Sequence, residues 1–251
     1  MKISIITVCY NSASTIRDTF ESILSQTYSN IEYIVIDGKS TDETISIIKE
    51  YENKFNGKMI WVSEHDDGLY DAMNKGIKLA TGDVVGILNS DDVYYDEYVL
   101  ERIIKEIQEK KTDTLYGNIQ IVRHNDINKV VRVWKSSPFV KGTFKKGWHP
   151  PHPSFFCKKK IYDCFGLFDT SFKVSADFEL MLRLLEKNHV STTYYDNFIV
   201  KMRFGGESMG SIKRIILGNK NVLRAFWKND ISISPLYPFY RLIPKLFQFC
   251  K

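Results

Sequence analysis

The chain has 251 residues, 43% of them apolar and 26% charged, the make-up of a soluble globular protein large enough for one sizeable core. No run of about 18 apolar residues occurs, so no spanning helix is expected, and "MKISIITVCYNS" has neither the long apolar segment nor the cleavage site of a secretory signal. The net charge of +5 is uneven: residues 211–251 carry +7 and the other 210 carry −2, and no zinc-finger, helix-turn-helix or RNA-binding aromatic pattern points to nucleic acid.

In chain order, "ISIITVCY" reads as a first strand, and "NSASTIRDTFESILSQ" as a helix with Ile16, Phe20, Ile23 and Leu24 on one face. "IEYIVIDGKS" is a second strand, after which Ser40 to Glu43 has the spacing of a capping box for the helix "DETISIIKEYENKF". "KMIWVSEHDDG" is a third strand leading into the helix "LYDAMNKGIKLATG". "DVVGILNSDD" is a fourth, followed by the helix "YYDEYVLERIIKEIQEK". This alternation predicts βαβ units and a mostly parallel, Rossmann-like sheet flanked by helices. From Thr114 the rhythm changes to two antiparallel strands, "DTLYGNIQIV" and "KVVRVWK". A Gly/Pro-rich loop, "GTFKKGWHPPHPS", and a helix, "SADFELMLRLLEKN", follow. The expected organisation is a catalytic domain over 1–210, with a nucleotide-binding half to about residue 112 and an acceptor half from 113. A basic, aromatic helical tail over 211–251 completes it. Cys9, Cys157, Cys164 and Cys250 show no C-x-x-C spacing, which argues against a zinc ribbon or disulfide framework and for a reducing cytoplasm.

Ligands of open parallel sheets bind beyond the carboxyl ends of the strands. Each of the first four predicted strands delivers polar residues there: Thr7 to Asn11, Asp37 to Ser40, Glu64 to Gly68, and Asn89 to Asp92. Asp91 and Asp92 are adjacent carboxylates directly after an apolar strand, so each is expected to raise the other's pKa unless a cation neutralises them. The plainer alternative is a pair of solvated turn residues at the start of the next helix.

The segments "SIITVCYNSASTI", "IEYIVIDGKSTDET", "SEHDDGLYDAMNKGIKLATGDVVGILNSDD", "HPSFFCKKKIYDCFGLFD" and "SADFELMLRL" together resemble the inverting family 2 glycosyltransferases, which have the GT-A nucleotide-sugar fold. The resemblance covers about four fifths of the chain, in the family's order. It implies transfer of a sugar from a nucleotide-diphosphate donor, UDP by preference, to a glycan or lipid-linked acceptor hydroxyl. It also implies Mn²⁺ or Mg²⁺ shared between protein carboxylates and the donor's phosphates. Asp91 and Asp92 match the metal and ribose positions without revealing which is which, and Asn89 stands where many relatives have another Asp. Asp37 matches the carboxylate that reads the nucleobase edge, and Thr7, Tyr10 and Asn11 would line the same base and ribose. Asp67, Asp71 and Lys75 match the part that meets ribose and diphosphate, although they also suit a solvated helix face.

Asp177 matches the family's general base and is also suited to capping its helix, while Glu179 falls on another side. His152 matches a histidine near the donor phosphates or cation, although relatives commonly read His-Gln where this chain has His152-Pro153. "RFGGESMGS" is either a lid over the donor or a plain glycine turn. The tail, with Trp227, Phe239, Tyr240, Leu246 and Phe247, suits either an anionic membrane surface at the cytoplasmic face or packing on the core. Competing readings are a nucleotidyltransferase, whose Gly-rich loop after the first strand is missing from "TVCYNSAST", and a non-catalytic binding protein of the same fold, which would have lost Asp91, Asp92 or Asp177.

Overall fold

The computed structural model describes residues 1–205, 212–234 and 237. Its first half follows the predicted alternation. β1 (Ile3–Cys9), α1 (Ile16–Leu24), β2 (Ile31–Asp37), α2 (Thr44–Glu52), β3 (Met59–Ser63), α3 (Leu69–Leu79) and β4 (Val84–Ile87) build a parallel sheet in the order β3-β2-β1-β4. Because β2 and β4 lie on opposite sides of β1, the strand order reverses there. That reversal opens a crevice beyond the carboxyl ends of β1 and β4. Side-chain alternation splits the core. Ile3, Ile5 and Cys9 join Phe20, Tyr33 and Ile48 on one face, whereas Ile6 and Val8 join Met73 and Ile77 on the other. A Cβ on Gly76 would stand 2.4 Å from Ile6, so glycine is what lets α3 lie this close to β1.

The second half is mixed. β5 (Val93–Tyr94) leaves the Asp91–Asp92 corner, followed by α4 (Val99–Lys110), β6 (Thr114–Arg123), β7 (Asp126–Trp134), β8 (Phe156–Lys158), α5 (Lys159–Phe165) and α6 (Ala176–Met181). β9 (Thr192–Arg203) pairs parallel to β6 and antiparallel to β5. β8 is antiparallel to both β4 and β6 and so joins the two halves into one nine-stranded sheet. α6 runs on into a π-helical stretch over Leu182–Lys187.

Two expectations change. The capping box does not form: Ser40 turns its hydroxyl to Asp37, and the Thr44 N–H is taken by Asp42 Oδ1 at 3.0 Å. The helix expected from Tyr94 starts at Val99, because Val93 and Tyr94 are drawn into pairing with β9, a strand not foreseen from the sequence. In the tail, α7 (Ile212–Lys228) packs on α6: Val222, Ala225 and Phe226 are buried, and Phe226 meets Phe178 at 5.6 Å between ring centres. The end of "RFGGESMGS" and the tail residues Phe239, Tyr240, Leu246 and Phe247 lie outside the described residues.

Candidate active site

The polar residues at the strand ends divide into those turned into the fold and those left facing the crevice. Thr7 is on the same face of β1 as Ile5 and Cys9, and this buries it. Its hydroxyl donates to the Leu88 carbonyl at 2.8 Å and accepts from Tyr33 Oη at 2.9 Å, so it joins strands instead of lining a ligand site. Asp37 is likewise 0% exposed. Its carboxylate accepts from the Ser40 N–H at 3.0 Å, from Ser63 Oγ at 2.7 Å and from the Ser40 hydroxyl, with Cys9 Sγ 3.7 Å away. The expected base-reading carboxylate is therefore spent on shaping the loop. Asn11, at φ 50°, helps by donating its N–H to Ser40 Oγ (2.8 Å) and accepting the Thr41 N–H on Oδ1 (2.8 Å).

What faces outward beside Asp37 is Asp66, which was not singled out from the sequence. Its Oδ2 is so close to Gly38 that a Cβ there would lie 2.5 Å away, and Tyr10 Cδ2 would lie 3.5 Å from the same point. Asp66 Oδ1 accepts the Gly68 N–H at 2.9 Å. Tyr10 itself is 64% exposed, a free aromatic face next to that carboxylate. Asp67 is exposed, and its carbonyl accepts from Lys173 Nζ at 2.8 Å. Lys75 does not reach into the crevice. Its ammonium is held by the His65 carbonyl (2.7 Å), Glu64 (2.9 Å) and Asp71 (3.4 Å); the Asp67 N–H first and this ammonium second bring the Asp71 carboxyl below its ordinary range despite partial burial.

The two neighbouring aspartates behave differently. Asp92 is 1% exposed, and its Oδ1 accepts the Arg203 N–H at 3.1 Å. Burial first, and the Asp91 charge second, push its carboxyl well up. It is thus an internal group at the β4–β5 corner, which corrects the expectation that both aspartates meet a cation. Asp91 is part-buried, and its pKa is also raised by burial, only partly offset by Arg203, His124 and His152. Arg203, at the end of β9, is buried and ties the corner together. Its Nη1 donates to the Asp91 carbonyl (2.7 Å), its Nε to the His124 carbonyl (2.8 Å), and its Nη2 pairs with Asp18.

Asn89 Oδ1 is buried with no hydrogen-bond partner. A buried amide oxygen left this way costs on the order of 1–3 kcal/mol and fits a site completed by a ligand. Together with the raised Asp91 carboxyl, it suits a hard cation. Among the described residues no three His, Cys, Asp or Glu side chains gather into a metal cage. A cation here would accordingly have one or two protein ligands, the arrangement Mg²⁺ and Mn²⁺ adopt when phosphates complete their shell.

Asn89, His152 and Asp177 line one cavity of about 500 Å³, including its open mouth, whose walls include Tyr70, Met73, Phe155, Phe168 and Met181. Asp177 sits in the first turn of α6 after Ser175, which adopts φ 69°. Its Oδ1 accepts from Tyr70 Oη at 2.8 Å, and its Oδ2 lies 3.3 Å from His152 Nδ1. Burial alone would raise its pKa, but His152, the Tyr70 hydroxyl and His149 together bring it below the ordinary range. Asp177 is therefore ionised at neutral pH and able to take a proton. Glu179 points elsewhere, as expected, and is locked to Arg183 Nε (3.0 Å) and Asn229 Nδ2 (3.1 Å).

Residues 4–160 match the model of the family described as Glycosyl transferase family 2. Over 208 residues the chain is 29% identical to a PGL/p-HBAD biosynthesis glycosyltransferase of Mycobacterium bovis, covering 82% of this chain and 78% of that one. Its fold is similar to that of S. aureus TarS 1–349 in complex with UDP-GlcNAc, with TM-score 0.68, 20% identity, and 92% and 68% of the two chains covered. It spans 41% of a longer TarS chain. It is also similar in fold to the mannosyltransferase PcManGT from Pyrobaculum calidifontis in complex with GDP-Man and Mn²⁺, with TM-score 0.67, 19% identity, and 95% and 68% covered.

Proposed function

The chain belongs to glycosyl transferase family 2, and from that premise we propose that it moves a sugar from a nucleotide-diphosphate donor, UDP by preference, to a glycan or lipid-linked hydroxyl with inversion, Asp177 acting as general base. The observation that carries this reading is the cavity lined by both the ionised Asp177 and Asn89, two residues before Asp91. A donor lying between them would have its leaving diphosphate at the Asp91 end. Its anomeric carbon would be open to attack from the Asp177 side, which is the in-line order an inverting displacement requires. The neighbours seen with UDP-GlcNAc and with GDP-Man support a nucleotide-sugar donor.

At the nucleotide end, Tyr10 would stack on the base, and Asp66 would accept from a ring N–H. Asp37, through Ser40 and Ser63, keeps that wall in shape. Asp91 would hold the cation, with His152 adjoining, and PcManGT with its Mn²⁺ is the fold-level support for one. A bound divalent ion supplies charge neutralisation for the departing diphosphate. His152 Nδ1 lies 3.3 Å from Asp177 Oδ2, and His152 also partly offsets the burial of Asp91.

The deciding experiment is a thermal-shift screen of UDP-, dTDP- and GDP-sugars with Mn²⁺ or Mg²⁺, followed by turnover of the stabilising donors. Donor-specific stabilisation and release of the nucleoside diphosphate are expected. No stabilisation by any nucleotide sugar would overturn the reading.

The outer face of α7 favours a membrane-bound acceptor. Trp227 is 70% exposed there, Ile216 and Leu217 are exposed, and Lys220, Arg224 and Lys228 are exposed on the same helix. Basic and aromatic side chains together suit anionic headgroups at the cytoplasmic face of a membrane. Flotation with phosphatidylserine vesicles should carry the full-length protein and release it when Trp227 and Lys220 are both changed to Ala. Equal flotation of the two proteins would remove this role.

A further inference from the structure

Tyr70 stands on the first turn of α3, after Gly68 has turned the chain at φ 112°. Its ring stacks on Phe168, with centroids 5.5 Å apart and planes 29° apart. That flat contact fixes where the hydroxyl arrives, which is the start of α6. There Tyr70 Oη donates to Asp177 Oδ1 at 2.8 Å. An ionised carboxylate can only accept, so the phenol O–H is the donor and the direction of the bond is set. Ser175 makes no side-chain cap at this helix, and Tyr70 reaches the Asp177 side chain from 107 residues away in sequence. Oδ1 is thereby occupied, and Oδ2 is the oxygen left toward His152.

We propose that Tyr70 is the positioning residue of this active site: by pinning Oδ1 of Asp177 it presents Oδ2 as the oxygen that receives the acceptor's proton. In the step it serves, the acceptor O–H bond breaks and its proton passes to Oδ2. The freed oxygen lone pair forms the new bond to the anomeric carbon, and the old bond's electron pair leaves with the diphosphate. A carboxylate free to rotate would offer this geometry only part of the time, and misplacement of about 1 Å at such a centre costs up to about 100-fold in rate. This inference rests on Asp177 being the base.

The test is Tyr70→Phe, which keeps the stacked ring and removes only the hydroxyl. With the UDP-sugar selected by the thermal-shift screen, kcat for nucleotide release should fall about 10- to 100-fold while donor Kd and KM stay within about twofold. In an Asp177→Asn background the same change should have no further effect, because Tyr70 acts through that carboxylate. Equal losses in both backgrounds, or a kcat within about twofold of the parent, would overturn the proposal. Crystal structures of the parent and Tyr70→Phe proteins give a readout that needs no substrate. Rotation or doubling of the Asp177 carboxylate is expected, and an unmoved single conformer would overturn it. If Asp177→Asn alone turns over normally, the base assignment has failed and not merely the role of Tyr70.

Discussion

Glu32, at the amino end of β2, and Asp91, beyond the carboxyl end of β4, are carboxylates at opposite rims of the same parallel sheet. Glu32 is 6% exposed, yet its two oxygens accept from Lys2 Nζ (2.8 Å), Ser4 Oγ (2.6 Å), the Thr81 N–H (2.8 Å) and Thr81 Oγ1 (2.7 Å). Burial by itself would raise its pKa, but these donors bring it down from the ordinary 4.5 to about 2. Asp91 is part-buried too, and there the balance runs the other way: desolvation outweighs Arg203, His124 and His152, and the pKa rises. One rim is closed and fully hydrogen-bonded. The other keeps a carboxylate whose burial is only partly compensated. Compensated and poorly compensated burial thus sit at opposite rims of the same sheet.

The sharpest way to break this contrast is at the functional rim. Asp177→Asn should lower transfer by about 1,000-fold, within the range of a lost general base, while donor Kd and melting temperature stay close to the parent. Turnover within tenfold of the parent would remove Asp177 from the chemistry. At the closed rim, Glu32→Gln should cost on the order of 1–3 kcal/mol, because the amide loses charge-assisted bonds from Lys2, Ser4 and Thr81, read by urea unfolding at pH 7. The pH dependence follows from the sign. Because the folded pKa is lowered, this stability is present above about pH 4.5 and is lost as pH falls toward 2, and the Gln variant should lose that slope.

The same kind of change at the other rim should have the opposite sign. Asp91→Asn removes a poorly compensated charge, so the empty protein should unfold at an equal or higher urea concentration, by up to about 1 kcal/mol, while metal-dependent stabilisation by UDP disappears. Retained Mn²⁺ dependence would exclude Asp91 as the ligand. The smallest expected effect is Asp66→Ala, a roughly tenfold weaker donor Kd with kcat little changed. Asp37→Ala, by contrast, should lower the melting temperature because four internal contacts go with it.

The first half of the fold was open to reading because its signals are local: apolar runs of strand length, amphipathic helices between them, and polar residues at each strand's carboxyl end. That Asp177 and Glu179 emerge on different sides of one helix could also be read, since they differ by two positions, whereas the base role proposed for Asp177 came from the family resemblance. Asp92 and Asp37 could not be separated from Asp91 and Asp66 in this way. Each pair consists of carboxylates at a strand end, and burial is decided by a partner elsewhere, Arg203 for Asp92 and Ser63 for Asp37. β9 was missed, and with it Arg203, whose bond to the Asp91 carbonyl spans 112 residues.

What the sequence by itself determined is therefore the periodic part: which segments are strands or helices, which face of each is buried, and at which rim the polar residues collect. Only the tertiary structure decided which carboxylate at that rim is turned inward, that Lys75 is tied to Glu64, and that Tyr70 holds Asp177. The physical reason is that periodicity fixes the side of an element on which a side chain emerges. A hydrogen bond of 2.8 Å between residues 107 apart depends on how whole elements are stacked, and no local pattern carries that distance.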